Sequence, residues 1–410
     1  MFPHQILMNK KPQCIIPWVY LEIFPEGTVT PCCANILTLG DIKTTPLEEI
    51  WNGEKMNQFR LSLFEDNLPD SCSACICEEK SGAWSLRKRY NDFFNSSFPS
   101  VVDNTNEDGS LKTITFKGWD FKVSNKCNFK CRMCGPRLSS SFTGVIQEHA
   151  KDLNIDQFVD NNIDHFELIE FAGGETLLMD EQYELLEKLI NRGRTDVELW
   201  YNTNMSVLSY KGKNVLDYWN KWNPDKLTIF ASIDEIGDRA EYIRKGTRWE
   251  IVDKNLRTIA SQKFKRQVNT VVSCLNVFRL PEIIEHLTDI GYIDQRFGYS
   301  NFDLSLFGDI GTGVSGECVP LDIEVLPPKF KLQTKQKLIS FINDYNLEHT
   351  VDISGKFIHI LKLLSGELNM KSLHKFLTQN ILMDKNRNES LVEVIPEFNE
   401  VIKEYKTIRQ

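Results

Sequence analysis

The sequence predicts an α/β fold built on six parallel strands, and three observations lead there. Strand-like runs at residues 113–124, 166–172, 196–202, 226–233, 266–275 and 303–307 alternate with helical patterns such as 181–192 and 249–262, the order of βα units and therefore of a parallel sheet. Right-handed crossovers between successive strands would curl such a sheet into a partial (β/α)6 barrel of the TIM type. Cysteines, paired glycines, asparagine and serine fall at the carboxyl ends of these strands, the end on which a parallel α/β sheet carries its function.

The rest of the chain is organised around that segment. With 410 residues, 41% of them hydrophobic and 26% charged, the chain can bury a sizeable core and make more than one domain. Residues 1–95 hold Cys14, Cys32, Cys33, Cys72, Cys75 and Cys77 among short strands and two helical stretches, and read as a small domain. Residues 96–112, rich in Ser, Asn, Asp and Gly, read as a linker. The barrel occupies 113–310, and 311–410 are mostly helical in pattern, with Leu326-Pro-Pro-Lys opening the helical run. The segment from Asp384 to Ser390 carries no recognisable motif; docking on the barrel or holding substrate are the roles open to it.

Charge and composition exclude several functions. A formal net charge of -9 disfavours nucleic acid as a general partner, and Arg87-Lys88-Arg89 reads as a solvated helix face. The start Met-Phe-Pro-His-Gln lacks a basic flank and an apolar core, and no apolar run is long enough to span a bilayer, so the expected location is cytoplasmic with no membrane partner. Eleven cysteines in a reducing compartment point to metal and not to a disulfide framework.

Cys127-Asn-Phe-Lys-Cys131-Arg-Met-Cys134 directly follows the first barrel strand. Three thiolates on one short loop hold three irons of a [4Fe-4S] cubane and leave the fourth iron open. Zinc is the competing reading, but no fourth ligand follows Cys134 nearby. The loop resembles the cluster loop of the radical S-adenosylmethionine (SAM) superfamily. That resemblance implies that the open iron chelates the methionyl end of SAM, and that one electron from the cluster cleaves SAM to a 5′-deoxyadenosyl radical, which takes a hydrogen from the substrate.

Other strand ends fit the same resemblance. Phe171-Ala-Gly-Gly-Glu175 permits close backbone approach and then offers a carboxylate. It is similar to the family's GGE motif, which implies that Gly173, Gly174 and Glu175 meet the methionyl amino group. Ser232, Asp234 and Arg244 at and beyond the fourth strand suit a polar contact, a ribose and a carboxylate grip; a helix cap and a surface arginine are the plainer reading. Asn204 ends the third strand as a further polar contact to SAM. Val271 and Val272 stand where the family places adenine contacts, and Cys274 and Cys318 read as small buried hydrophobes.

The amino-terminal order C-x12-G-x4-C followed by C-x2-C resembles the twitch module, the short form of the SPASM auxiliary-cluster domain. The resemblance implies a second [4Fe-4S] cluster on Cys14, Cys32, Cys72 and Cys75, with Cys33 and Cys77 as alternates, although four cysteines in two pairs also suit zinc. In the family this module usually follows the barrel; here it precedes it. The expected protein is a radical SAM enzyme acting on a peptide side chain or small metabolite, with an electron donor such as flavodoxin or ferredoxin. An RNA-modifying radical SAM enzyme and a non-catalytic, zinc-stabilised interaction protein are the alternatives.

Overall fold

A computed structural model describes residues 10–80, 84–294, 301–306, 321–349 and 352–408. Cys318 and the end of the expected strand at Phe307 lie outside the described residues. The chain divides into two compact units, one of residues 1–127, 136–201 and 213–227, the other of residues 128–135, 202–212 and 228–410.

In the first unit the strands Tyr20–Ile23, Gly118–Phe121, Leu168–Phe171 and Glu198–Thr203 run parallel in that order across the sheet. Their apolar side chains bury Trp119, Phe121, Ile169, Phe171 and Tyr201 completely, with the Phe171 and Tyr201 rings stacked 4.1 Å apart. The register aligns Glu22 with Asp120 and Asp120 with Glu170. Because side chains alternate faces with period two, these three carboxylates form one row across neighbouring strands. Gly118 lets the first two strands close up, since a Cβ there would lie 2.3 Å from the Tyr20 ring. The antiparallel strands Thr28–Thr30 and Gly40–Asp41 extend this sheet beyond Tyr20–Ile23.

Two features of this unit differ from the domain boundaries expected at residues 95 and 112. Tyr20–Ile23 is itself a parallel strand paired with Gly118–Phe121, so the amino-terminal segment continues the sheet. Its four residues are all buried, and that apolar surface needs a neighbouring strand. Residues 96–112 contain the helix Phe98–Asn104, which buries Phe98 and Val101, while Trp18 Nε1 donates to Thr105 Oγ1 at 2.8 Å. The polar residues that mimic a linker lie on the outside of this packed helix.

In the second unit Leu227–Ser232, Lys265–Val272 and Phe302–Leu306 are parallel, and Lys265–Val272 alternates half-buried and buried residues as a strand with one core face does. The helices Trp249–Ala260 and Leu280–Asp289 follow two of these strands. Lys130–Cys131 and Arg244–Lys245 form a small antiparallel ladder. The helices Pro328–His349, Ser354–Leu363, Met370–Arg387 and Phe398–Ile408 make the carboxy-terminal region mostly helical, as the sequence indicates. The fold class is mixed α/β with parallel strands, again as expected. All six sequence-predicted strands are present, and five are shorter than expected because the hydrogen-bonded ladder covers only part of each apolar run; residues 113–117, for instance, precede the first one, while the last, Phe302–Leu306, is shifted by one residue. No helix among the described residues is long and apolar enough to cross a membrane.

Candidate functional site

The cysteine loop begins in the first unit. Lys126 O accepts from the Glu175 amide at 2.8 Å, and the Cys127 amide and carbonyl pair with the hydroxyls of Ser140 (3.3 Å) and Ser141 (2.8 Å). Gly174 has no alternative at its position, since a Cβ would fall 2.1 Å from Lys126 O. Gly173 has φ +97°, a backbone that favours glycine. Glu175 is fully buried, and its Oε1 accepts from the Leu177 amide at 3.3 Å, capping the turn that follows. The Gly-Gly-Glu stretch thus shapes the start of the loop, a contribution that a ligand-binding reading of the motif leaves out.

The remainder of the loop belongs to the second unit, where it is held at four points. Asn204 Nδ2 donates to Asn128 Oδ1 at 3.1 Å, and Asn128 Nδ2 to Ser206 Oγ at 3.0 Å. Gly246, at φ +108°, packs so closely that a Cβ would lie 2.6 Å from Asn128 O. Arg244 pairs across the small ladder with Cys131. Arg132, 1% exposed, sits over the Tyr242 ring at 3.6 Å and donates to Asn380 Oδ1 (2.8 Å), Asp384 Oδ1 (2.6 Å), Glu389 Oε2 (2.6 Å) and Tyr242 O (3.0 Å).

Asp384 and Glu389 come from the segment without a motif, so its structural role is to anchor the cluster loop. The available signal was Arg132 itself: a cation between two proposed ligand cysteines needs buried carboxylates, and the carboxy-terminal region supplies them.

Arg244 Nε donates to Asp234 Oδ2 at 2.6 Å, while Asp234 Oδ1 accepts from the Val271 amide at 2.8 Å. Each carboxylate oxygen has a partner within the protein, so Asp234 holds Arg244 in place. Burial works against the Arg244 charge, but Asp234 and then the Cys131 and Cys134 sulfurs outweigh it and push its pKa up. The terminal guanidinium nitrogens have no hydrogen-bond partner among the described residues, which leaves a fork for a carboxylate. Ser232 is half-buried at the end of its strand. Val272 and Cys274 are fully buried, as core residues are.

Cys14, Cys32, Cys72 and Cys75 line one small recess, together with Phe59 and Arg87. The helix Ser73–Lys80 carries Cys75 and begins where the short turn Asp70–Cys72 ends, so the C-x2-C pair sits on a helix start. Burial first, and then neighbouring sulfurs, push the Cys14 thiol up to about 12 and the Cys72 thiol up to about 11. Crowded thiols resist ionising alone and give up their protons to a bound metal. Among the described residues no carboxylate or imidazole lines the recess, so its donor set suits an iron–sulfur cluster or zinc. Arg87 is tied to Glu79 at 2.5 Å and to Gln13 O at 2.7 Å. It therefore places a fixed cation beside four sulfurs and is not the solvated residue its basic neighbours implied. The next residue after Cys32 turns away: Cys33 is exposed and lies with Glu22 and Asp120. Cys77 is exposed and does not line the recess.

Comparison with known proteins assigns family models to both regions. Residues 121–290 match the model of the radical SAM superfamily, and residues 14–76 match SPASM, an iron–sulfur cluster-binding domain. The matches imply a [4Fe-4S] cluster and SAM at the first region and auxiliary iron–sulfur at the second, and the thiol sets described above fit both groups. The chain is similar to the S-adenosylmethionine-dependent nucleotide dehydratase RSAD2 of Siniperca chuatsi, at 27% identity over 44% of this chain; it spans 50% of that relative's length. Similar solved structures include anSMEcpe with bound AdoMet (14% identity, 57% of this chain and 62% of that chain, TM-score 0.41) and Streptococcus suis SuiB bound to S-adenosylmethionine (14% identity, 72% and 63%, TM-score 0.41).

Proposed function

We propose that the protein is a radical SAM enzyme that abstracts hydrogen from a peptide side chain or small metabolite and completes a net two-electron oxidation. The observation that carries this reading is the Cys127–Cys131–Cys134 loop, supported by Gly174 and Gly246, which admit no side chain, and by the buried Arg132 network. With a [4Fe-4S] cluster bound by these cysteines, SAM would be the source of a 5′-deoxyadenosyl radical. This chain's own contribution is positional: Asp234 orients Arg244 to grip the SAM carboxylate, and Ser232, Asn204, Gly173, Gly174 and Glu175 shape the surroundings of the ligand.

Cys14, Cys32, Cys72 and Cys75 would ligate an auxiliary cluster on all four irons, which leaves it no vacancy for substrate. Electron acceptance from a substrate radical is then its chemical role, and flavodoxin or ferredoxin would reduce the first cluster. A nucleotide substrate is a second reading, favoured by the match to RSAD2.

Anaerobic reconstitution with iron and sulfide, followed by chromatography of the SAM products, tests the proposal. A brown protein that forms 5′-deoxyadenosine under reduction supports it. A colourless zinc protein that leaves SAM intact overturns it.

A further inference from the structure

Adjacent residues Cys32 and Cys33 face different surroundings, and only those of Cys32 belong to the auxiliary recess. The Cys33 sulfur and the carboxylate oxygens of Glu22 and Asp120 lie within 4.8 Å of one another. Glu22 is fully buried and Asp120 is 3% exposed, and the register places Glu170 next in the row. Lys122, on the same strand face as Asp120, donates to Glu22 Oε1 at 2.8 Å and to Asp120 Oδ2 at 2.6 Å. The Tyr20 hydroxyl (3.2 Å) and the Tyr90 hydroxyl both donate to Glu170 Oε2. Two oxygens are left over: Glu22 Oε2 and Asp120 Oδ1 are buried and have no hydrogen-bond partner.

An unpaired carboxylate oxygen in a protein interior is costly, and it survives where a partner arrives from outside. The charges lead to the same conclusion. Glu22 and Asp120 share the single Lys122 ammonium, and burial followed by the neighbouring Glu22 pushes the Asp120 carboxyl well up. Cys33, exposed beside this buried pair, marks its solvent side.

We infer that Glu22 and Asp120 form a recognition site for a singly charged organic cation, an ammonium or guanidinium group of the substrate, with Cys33 at its mouth. Two N–H donors of one such group satisfy the two free oxygens, and its charge offsets the excess of two carboxylates over the one Lys122 ammonium. A divalent metal ion fits less well, because the Lys122 ammonium already touches both carboxylates and repels a compact double charge more strongly than a delocalised single one. Phosphorylated substrates are repelled outright. The inference rests on the proposal that a peptide side chain or small metabolite is the substrate, and it names that substrate's charge.

The test uses the reconstituted, cluster-loaded full chain and is independent of SAM cleavage. Cys33 is labelled with a trimethylammonium-ethyl or a sulfonato-ethyl methanethiosulfonate, and rates are read by peptide mass mapping, with exposed Cys77 as reference in the same molecule. Comparing two reagents at one pH cancels the thiolate fraction. The cationic reagent is expected to be faster by about ten-fold or more at Cys33 relative to Cys77, as field focusing in an acidic cleft produces. This preference should fall in Glu22→Gln and further in Glu22→Gln/Asp120→Asn, with iron content retained as the check on folding.

Ethylguanidinium should slow labelling of Cys33 in the parent but not in the double variant, and inorganic phosphate should have no effect. Equal charge preference at Cys33 and Cys77 in the parent overturns the inference without reference to any variant. So does protection by manganese in the absence of protection by ethylguanidinium, which would indicate a metal site, and so does protection by phosphate.

Discussion

The two cysteine sites reach their geometry by opposite routes. Cys127, Cys131 and Cys134 are close in sequence, yet their loop depends on partners far along the chain: Gly174, Asn204, Gly246 and the Arg132 ion pairs to Asp384 and Glu389. Cys14, Cys32, Cys72 and Cys75 are scattered in sequence, yet the elements that assemble their recess all come from the amino-terminal segment. Closeness in sequence therefore says little about what supports a site. A short loop with many polar backbone groups needs external clamps, whereas ligands spread over helices and strands are held by ordinary packing.

That contrast sets the order of expected effects. The largest belongs to the loop: replacing Cys127, Cys131 and Cys134 together by Ala should abolish 5′-deoxyadenosine formation and leave the auxiliary iron in place. Residual cleavage of SAM in that variant would falsify the assignment of this loop. Substituting Cys14, Cys32, Cys72 and Cys75 should lower the iron content from about eight to about four per chain. An iron content unchanged from the parent, or zinc released in its place, would show that the recess does not hold a cubane.

Arg132→Met sharpens the comparison, because it touches neither ligand set. It leaves the buried Asp384 without its cation, while Glu389 keeps Lys245 at 2.8 Å, at a cost of about 3–5 kcal/mol, and should depress thermal stability along with occupancy of the first cluster while sparing the auxiliary one. Equal loss from both clusters would mean that Arg132 supports the protein in general and not the loop. The smallest effect is expected at Arg244→Ala, which should weaken SAM binding by about 2 kcal/mol with both clusters intact, measured by equilibrium binding under anaerobic conditions. Asp234→Asn should follow in the same direction, since Asp234 only aims the guanidinium.

The strands from Gly118 to Leu306 were legible in the sequence because alternation and β-branched or aromatic runs are local signals, and the two cysteine patterns were legible because ligand spacing is local too. The strand Tyr20–Ile23 and the helix Phe98–Asn104 were hidden, the first by being grouped with its cysteines and the second by its polar outer face. Asp234 stood out by its place beyond a strand end, but only the structure showed that it also holds Arg244 Nε and the Val271 amide.

The sequence by itself determined which residue types could bind iron and where strands could form, since both depend on spacing over a few residues. Tertiary structure alone decided that Cys32 and Cys33 part company, that Arg132 finds its carboxylates in and just beyond the helix Met370–Arg387, and that Glu22, Asp120 and Glu170 line up across three strands. Burial, charge compensation and strand register are relations between distant parts of the chain, and they acquire values only when those parts are brought together.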